Sequence, residues 1–153
     1  HADIAMYQAK AAGRNGMALY DELSMSPESE RYRLLNDFKA ALGTDALELH
    51  FQPKITLGSG ACHSVEALVR WTHPELGPIS PAEFVPLAET TALVAPLTRW
   101  VIDAATRQVL RWQREGLDMA VAINVSPKNL EEADFVEYLL FNCAARGIDH
   151  ARI

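Results

Sequence analysis

Cysteine is scarce in this sequence, and the two that occur have no motif around them. Cys62 and Cys143 are far apart and belong to no CxxC pair, which excludes a disulfide framework and a four-ligand structural zinc site. No apolar run approaches the roughly 20 residues that span a bilayer, and the opening HADIAMYQAK lacks the basic-then-apolar order of a signal peptide. Positive charge is short as well: 14 Lys and Arg stand against 20 Asp and Glu, a formal net charge of -6. That argues against a nonspecific binder of DNA or RNA polymers or of anionic membranes, and leaves room for a local basic pocket for a phosphate. Together these absences predict a cytoplasmic location and no membrane contact by this segment. Any anchor tethering a parent protein to the inner membrane would lie outside it.

What is present reads as folded protein: 49% of the residues are hydrophobic and 22% charged, ordinary for a soluble domain with one core of moderate size. ADIAMYQAKAAG predicts a helix stopped by Gly13, and MALYD a short strand. Residues 21–26 have no apolar period and read as a linker. Ser26 as N-cap and Pro27 as first residue predict a helix running to Gly43. The period then becomes two: ALELHFQPKITL alternates Leu47, Leu49 and Phe51 with Glu48, His50 and Gln52, and a Gly58-Ser59-Gly60 turn leads to the strand VEALVRW, so an antiparallel hairpin is predicted.

Ser80, Pro81 and Glu83 predict a helix start with a capping box. A longer helix is predicted from Pro96 to Glu115, burying Leu97, Trp100, Val101, Ala104, Ala105 and Leu110 and ended by Gly116. MAVAINVS predicts a third strand with Ala120, Ala122, Asn124 and Ser126 on one face. A last helix is expected over Leu130–Arg146, with Val136, Leu139, Leu140 and Cys143 inward and Gly147 as its stop. The alternation of strands and helices predicts an α/β sheet or barrel. A full eight-stranded barrel takes about 250 residues, so the segment reads as a piece of one.

Within VEALVRW, Glu66, Leu68 and Arg70 share a face opposite Val65, Ala67, Val69 and Trp71. A direct Glu66–Arg70 salt bridge is disfavoured, because at about 3.3 Å per residue their Cα atoms stand roughly 13 Å apart. Either the polar face looks at water or each charge has a partner elsewhere. His50, His63 and His73 show no ligand spacing and read as satisfied strand or loop histidines, and Cys143 as a small core residue.

LHFQPKITL, VEALVRWTHPELGPISPAEFVPLAE and VAINVSP resemble, in order and spacing, the first half of the EAL domain of cyclic di-GMP phosphodiesterases, with Glu66-Ala67-Leu68 as the naming triplet. ADIAMYQAKAAGRNGMALYD resembles the end of a GGDEF domain, the fold of diguanylate cyclases. The resemblance divides the chain into a GGDEF remnant (1–21), a linker with the first EAL helix (22–45) and the N-terminal half of an EAL domain (46–153). It implies a modified TIM-type (β/α)8 barrel whose first strand is antiparallel to the others.

The same resemblance implies metal-dependent hydrolysis of cyclic di-GMP to linear pGpG by a parent protein, with Mg2+ or Mn2+, this segment alone being inactive. Glu66 and Asn124 correspond to catalytic metal ligands, Gln52 to a ligand contact and Arg70 to a phosphate contact. Leu68, Ser80 and Pro81 correspond to pocket residues, with Phe84 in the same segment. Read without the resemblance, Asn124 is a turn former before Ser126-Pro127, Arg70 a surface ion pair, and Ser80, Pro81 and Phe84 capping and packing residues. Lys10 and Arg14 match nucleotide-contacting positions of GGDEF domains, yet cations near a helix C-terminus favour the helix dipole, and that reading is preferred. The family's remaining carboxylates and catalytic lysine are expected after Ile153. An EAL homodimer is a further implied partner, and an inactive cyclic di-GMP receptor is the alternative function.

Overall fold

The structure is a computed structural model, and it describes residues 27–153. The first helix and strand expected before residue 22, Lys10, Arg14 and the N-cap role of Ser26 lie outside the described residues.

Helix α1 spans Pro27–Ala41, beginning on the expected proline. Glu28 and Glu30 lie in its first turn and Lys39 in its last, each favourable to the helix dipole. Gly43, at φ +86°, turns the chain away just beyond it in a conformation that a side chain disfavours. The described chain divides into two units between Ala40 and Ala41, and the second carries the sheet.

Strands β1 (Leu47–Ile55) and β2 (Cys62–His73) form the expected hairpin, antiparallel in a register running from Leu47 opposite Trp71 to Pro53 opposite Val65. A third strand, β3 (Gly77–Ile79), was not legible in the sequence. It pairs antiparallel with the end of β2, Trp71 opposite Ile79, and three residues are too few to show a period. Strand β4 (Ala120–Ile123) lies parallel to β2, with Glu66 opposite Ala122 and Ala67 opposite Ile123. It ends one residue before Asn124, so the expected strand through Ser126 is shorter than predicted.

Between β2 and β4 run α2 (Pro81–Glu89) and α3 (Val94–Arg114). Ser80 is the N-cap of α2, but its side chain makes no capping bond. Its carbonyl takes the Glu83 N–H at 2.9 Å, which corrects the expected capping box. Helix α3 begins two residues before Pro96, which sits in its first turn, where a missing N–H costs nothing. Leu97, Val101 and Ala105 are buried as expected, and Ile102, Thr106 and Val109 join them, while Trp100, Ala104 and Leu110 are half-buried.

The predicted last helix is two. Helix α4 covers only Pro127–Leu130, and α5 covers Phe135–Ala145. Starting at Phe135 sets the phase of α5, so that Phe135 and Cys143 turn inward. Val136 (60% exposed), Leu140 (44%) and Phe141 (69%) look outward, which corrects the inward placement of Val136 and Leu140. A short 3-10 turn, His150–Arg152, follows.

The core lies between the sheet and the helices. Val65, Ala67 and Val121 from the strands meet Ala105 and Val109 of α3, Cys143 of α5 and Ile148, flanked by Leu49, Phe51 and Trp112. Val109 is fully buried; removing such a side chain from water favours folding by about 1.5–3 kcal/mol. Committing one sheet face to the helices leaves Glu66, Leu68 and Arg70 on the other, and that division positions the site. Among the described residues no helix is long and apolar enough to cross a membrane.

Candidate active-site cleft

Residues paired across an antiparallel ladder point to the same side of the sheet. Gln52 opposite Glu66, His50 opposite Leu68 and Glu48 opposite Arg70 therefore share one face. Asn124, two residues beyond Ala122, the parallel partner of Glu66, comes to that side as well. Its Nδ2 donates to Oε1 of Glu66 at 2.9 Å. An ionised carboxylate only accepts, so the amide nitrogen has to be the atom facing it.

Glu66 and Arg70 do not meet. Arg70 donates from Nη1 to the Val69 carbonyl at 2.9 Å, which engages one of a guanidinium's five N–H groups. Next to it opens a cleft of about 430 Å³ between the second half of β2, the segment after β4, and helices α2 and α3. Leu68, Arg70, Pro81 and Asn124 line it together with Ala67 and Val69, so residues from both faces of β2 border the cleft. Glu66 adjoins it through Asn124. Gln52 is exposed beside Glu66 on the open face of β1, outside the cleft lining, and Ser80 is exposed at the start of α2. Phe84 is fully buried, its ring edge-on to Trp71 at 5.5 Å, so it packs and does not reach the cleft.

The far wall was missed in the sequence. Val94, Leu97, Thr98 and Val101 of α3 line it, with Glu89 at the end of α2. Their helical spacing reads as core. A threonine inside that apolar stripe was the available signal.

The donor set suits a hard cation. The 2.9 Å between Asn124 Nδ2 and Glu66 Oε1 is the length of an ordinary hydrogen bond; what fits Mg2+ is the chemistry of the pair, a carboxylate and an amide carbonyl, both hard oxygen donors. Rotating that amide would present Oδ1 in place of Nδ2. Among the described residues no group of three or more His, Cys, Asp or Glu side chains gathers, and Mg2+ commonly keeps several waters beside one or two protein ligands.

Two of the histidines make local bonds. His50 Nε2 lies 2.9 Å from Glu48, and Nδ1 of buried His73 accepts the N–H groups of Glu75 and Leu76 at 3.1 Å. Cys143 is buried, and burial pushes its thiol above the usual range.

Residues 35–153 match the EAL domain family. The chain is 41% identical over 138 residues to the bifunctional diguanylate cyclase/cyclic di-GMP phosphodiesterase MucR of Pseudomonas aeruginosa, covering 90% of this chain and 20% of that protein. It is 42% identical over 132 residues to the cyclic di-GMP phosphodiesterase PdeR of Escherichia coli, covering 86% and 20%. Among solved structures it is similar to the PaMucR phosphodiesterase in complex with c-di-GMP, with TM-score 0.74 and 36% identity over 78% of this chain and 49% of that one. The FimX EAL domain of Xanthomonas citri in complex with c-diGMP gives TM-score 0.68 and 26% identity over 79% and 47%. The chain thus spans about a fifth of the curated relatives' length and about half of the solved ones.

Proposed function

The chain belongs to the EAL domain family, and from that premise we propose that the protein carrying it hydrolyses one phosphodiester of cyclic di-GMP, releasing linear pGpG, with Mg2+ or Mn2+. The observation that carries this reading is the 2.9 Å approach of Asn124 to Glu66 at the edge of a cleft that Arg70 also lines.

In this reading Glu66 and Asn124 supply oxygen ligands to the cation. Such an ion, when bound, lowers the pKa of a water and offsets charge on phosphoryl oxygens. Arg70 presents a planar fork of donors to a phosphate. Gln52 contacts the dinucleotide from the open face of β1. Leu68 and Pro81 form the apolar floor on which a flat base rests, with Ser80 at its border. The apolar α3 wall excludes water, which strengthens every charge interaction inside.

The sequence similarity of residues 1–21 to a GGDEF domain end, and the bifunctional name of MucR, support a tandem GGDEF–EAL parent. Its division would be 1–21, 22–45 and 46–153, with pairing of EAL domains in a homodimer and residence in the cytoplasm.

The test is incubation of the protein with cyclic di-GMP, with and without Mg2+, followed by chromatography of the nucleotides. Metal-dependent appearance of pGpG is expected. Ligand bound yet uncut under both conditions would leave only a receptor.

A further inference from the structure

Asn129 is fully buried and has no part in the reaction just described. Burying a primary amide is costly unless its hydrogen bonds are made, and here both ends are engaged. Oδ1 accepts from the Thr98 hydroxyl at 2.8 Å, and Nδ2 donates to Oε1 of Glu132 at 2.8 Å. The carboxylate can only accept, so the amide has one permitted orientation.

These bonds fasten the segment after β4 to its surroundings. Thr98 belongs to α3 and lines the cleft. Its neighbour Arg99 holds Asp134 at 2.8 Å and Glu132 at 3.7 Å, and lies 4.5 Å above the Tyr138 ring of α5. Lys128 donates to the Glu89 carbonyl at the end of α2. On the near side, β4 is fixed by its pairing with β2 through Ile123. Asn124, Val125 and Ser126 bridge the two anchors, and the Asn129 N–H closes back on the Ser126 carbonyl at 2.9 Å.

We propose that Asn129 is a positioning residue for Asn124. Its two directed bonds fix α4, α4 fixes the three-residue bridge, and the bridge keeps the Asn124 amide within hydrogen-bond reach of Glu66, where both side chains can turn an oxygen to one cation. A leucine would fill the same space, but it would leave α4 free to slide along α3, because apolar contact has no direction. This role rests on the reading of Glu66 and Asn124 as cation ligands.

The experiment measures Mn2+ affinity by electron paramagnetic resonance of the free ion, with thermal melts alongside, for the full-length parent protein and its Asn129→Leu, Thr98→Val and Thr98→Ser variants. Losing a hydrogen bond made directly to a metal ligand weakens binding roughly 10–100-fold; Asn129 and Thr98 act one step further back, so Asn129→Leu and Thr98→Val are expected at the low end, roughly tenfold, while Thr98→Ser, which keeps the hydroxyl, should stay within about threefold. Saturating Mn2+ should restore cyclic di-GMP cleavage in the weakened variants, which a general loss of structure would not permit. Should Asn129→Leu fail to fold, Thr98→Val decides. Unchanged Mn2+ affinity in a folded variant, or a deficit that excess Mn2+ does not repair, overturns the positioning role and leaves the metal site standing. Absence of Mn2+ binding by the unmodified protein overturns both.

Discussion

Asn124 and Glu66 are 58 positions apart in sequence and 2.9 Å apart in space, meeting where β4 ends alongside the interior of its parallel neighbour β2. An acid and an amide are brought together here by strand register rather than by local chain geometry. Glu66→Ala removes the charged half. Cleavage of cyclic di-GMP is expected to fall by about a hundredfold or more, the scale of losing several kcal/mol of charge stabilisation. Lys10→Ala should leave the rate unchanged. A chromatographic rate assay checks both, and an active Glu66 variant would refute the ligand assignment.

Arg70→Lys keeps the charge and loses the planar fork. The Michaelis constant for the dinucleotide should rise roughly tenfold, about 1.4 kcal/mol, as a point charge replaces paired donors. Steady-state kinetics with a fixed metal concentration reads this, and an unaltered constant would return Arg70 to a surface role.

Phe84→Ala tests the packing role that the structure gives this residue. Emptying a fully buried aromatic site against Trp71 should cost about 3–5 kcal/mol, a large part of a small domain's stability. Urea unfolding followed by tryptophan fluorescence measures it. A loss under about 1 kcal/mol would place Phe84 outside the core in solution.

The Arg99 guanidinium, hydrogen-bonded to Asp134, holds that carboxyl below its ordinary value of 3.8. The native state therefore binds fewer protons there than the unfolded chain. The associated stability is present above the unfolded value and is lost as pH falls through the lower folded one. Asp134→Asn should flatten the acid end of a melting-temperature profile below about pH 4. The effect should be small, because the group is solvent-exposed. A profile identical to that of the unmodified protein would show the pair to be energetically silent.

Cys143 should resist alkylation under native conditions while half-buried Cys62 reacts, because only a thiolate attacks and burial holds the Cys143 thiol protonated. Mass mapping after timed iodoacetamide treatment distinguishes the two. Equal labelling would contradict the burial.

The hairpin was legible because its evidence is local: the two-residue alternation through Phe51 and Val65 and the glycine turn between them specify register and face together. That sufficed to put Glu66 and Arg70 on one side of β2; Gln52 was joined to them by the family resemblance, and the register of the structure sets it opposite Glu66. The meeting of Asn124 with Glu66 was not legible from spacing, since the register of a parallel strand is set by the helices that bridge it, and only the family resemblance supplied it. The split between α4 and α5 escaped because Asn129 and Glu132 bond to each other and to α3 instead of extending a helix. The outward turn of Val136 and Leu140 followed from that later start. Thr98 was passed over because it lies on a stripe that does build the core.

The antiparallel direction of β1 also dictates an order of events as the chain folds. Strands joined through residues 56–61 can zip in microseconds, whereas β4 must wait for two helices to form and dock before it finds its parallel neighbour. Glu66 is therefore expected to reach its place in the sheet before Asn124 does. Destabilising substitutions at Phe51 or Val65 should slow refolding, and those at Val121 should chiefly hasten unfolding, a division that chevron plots would display.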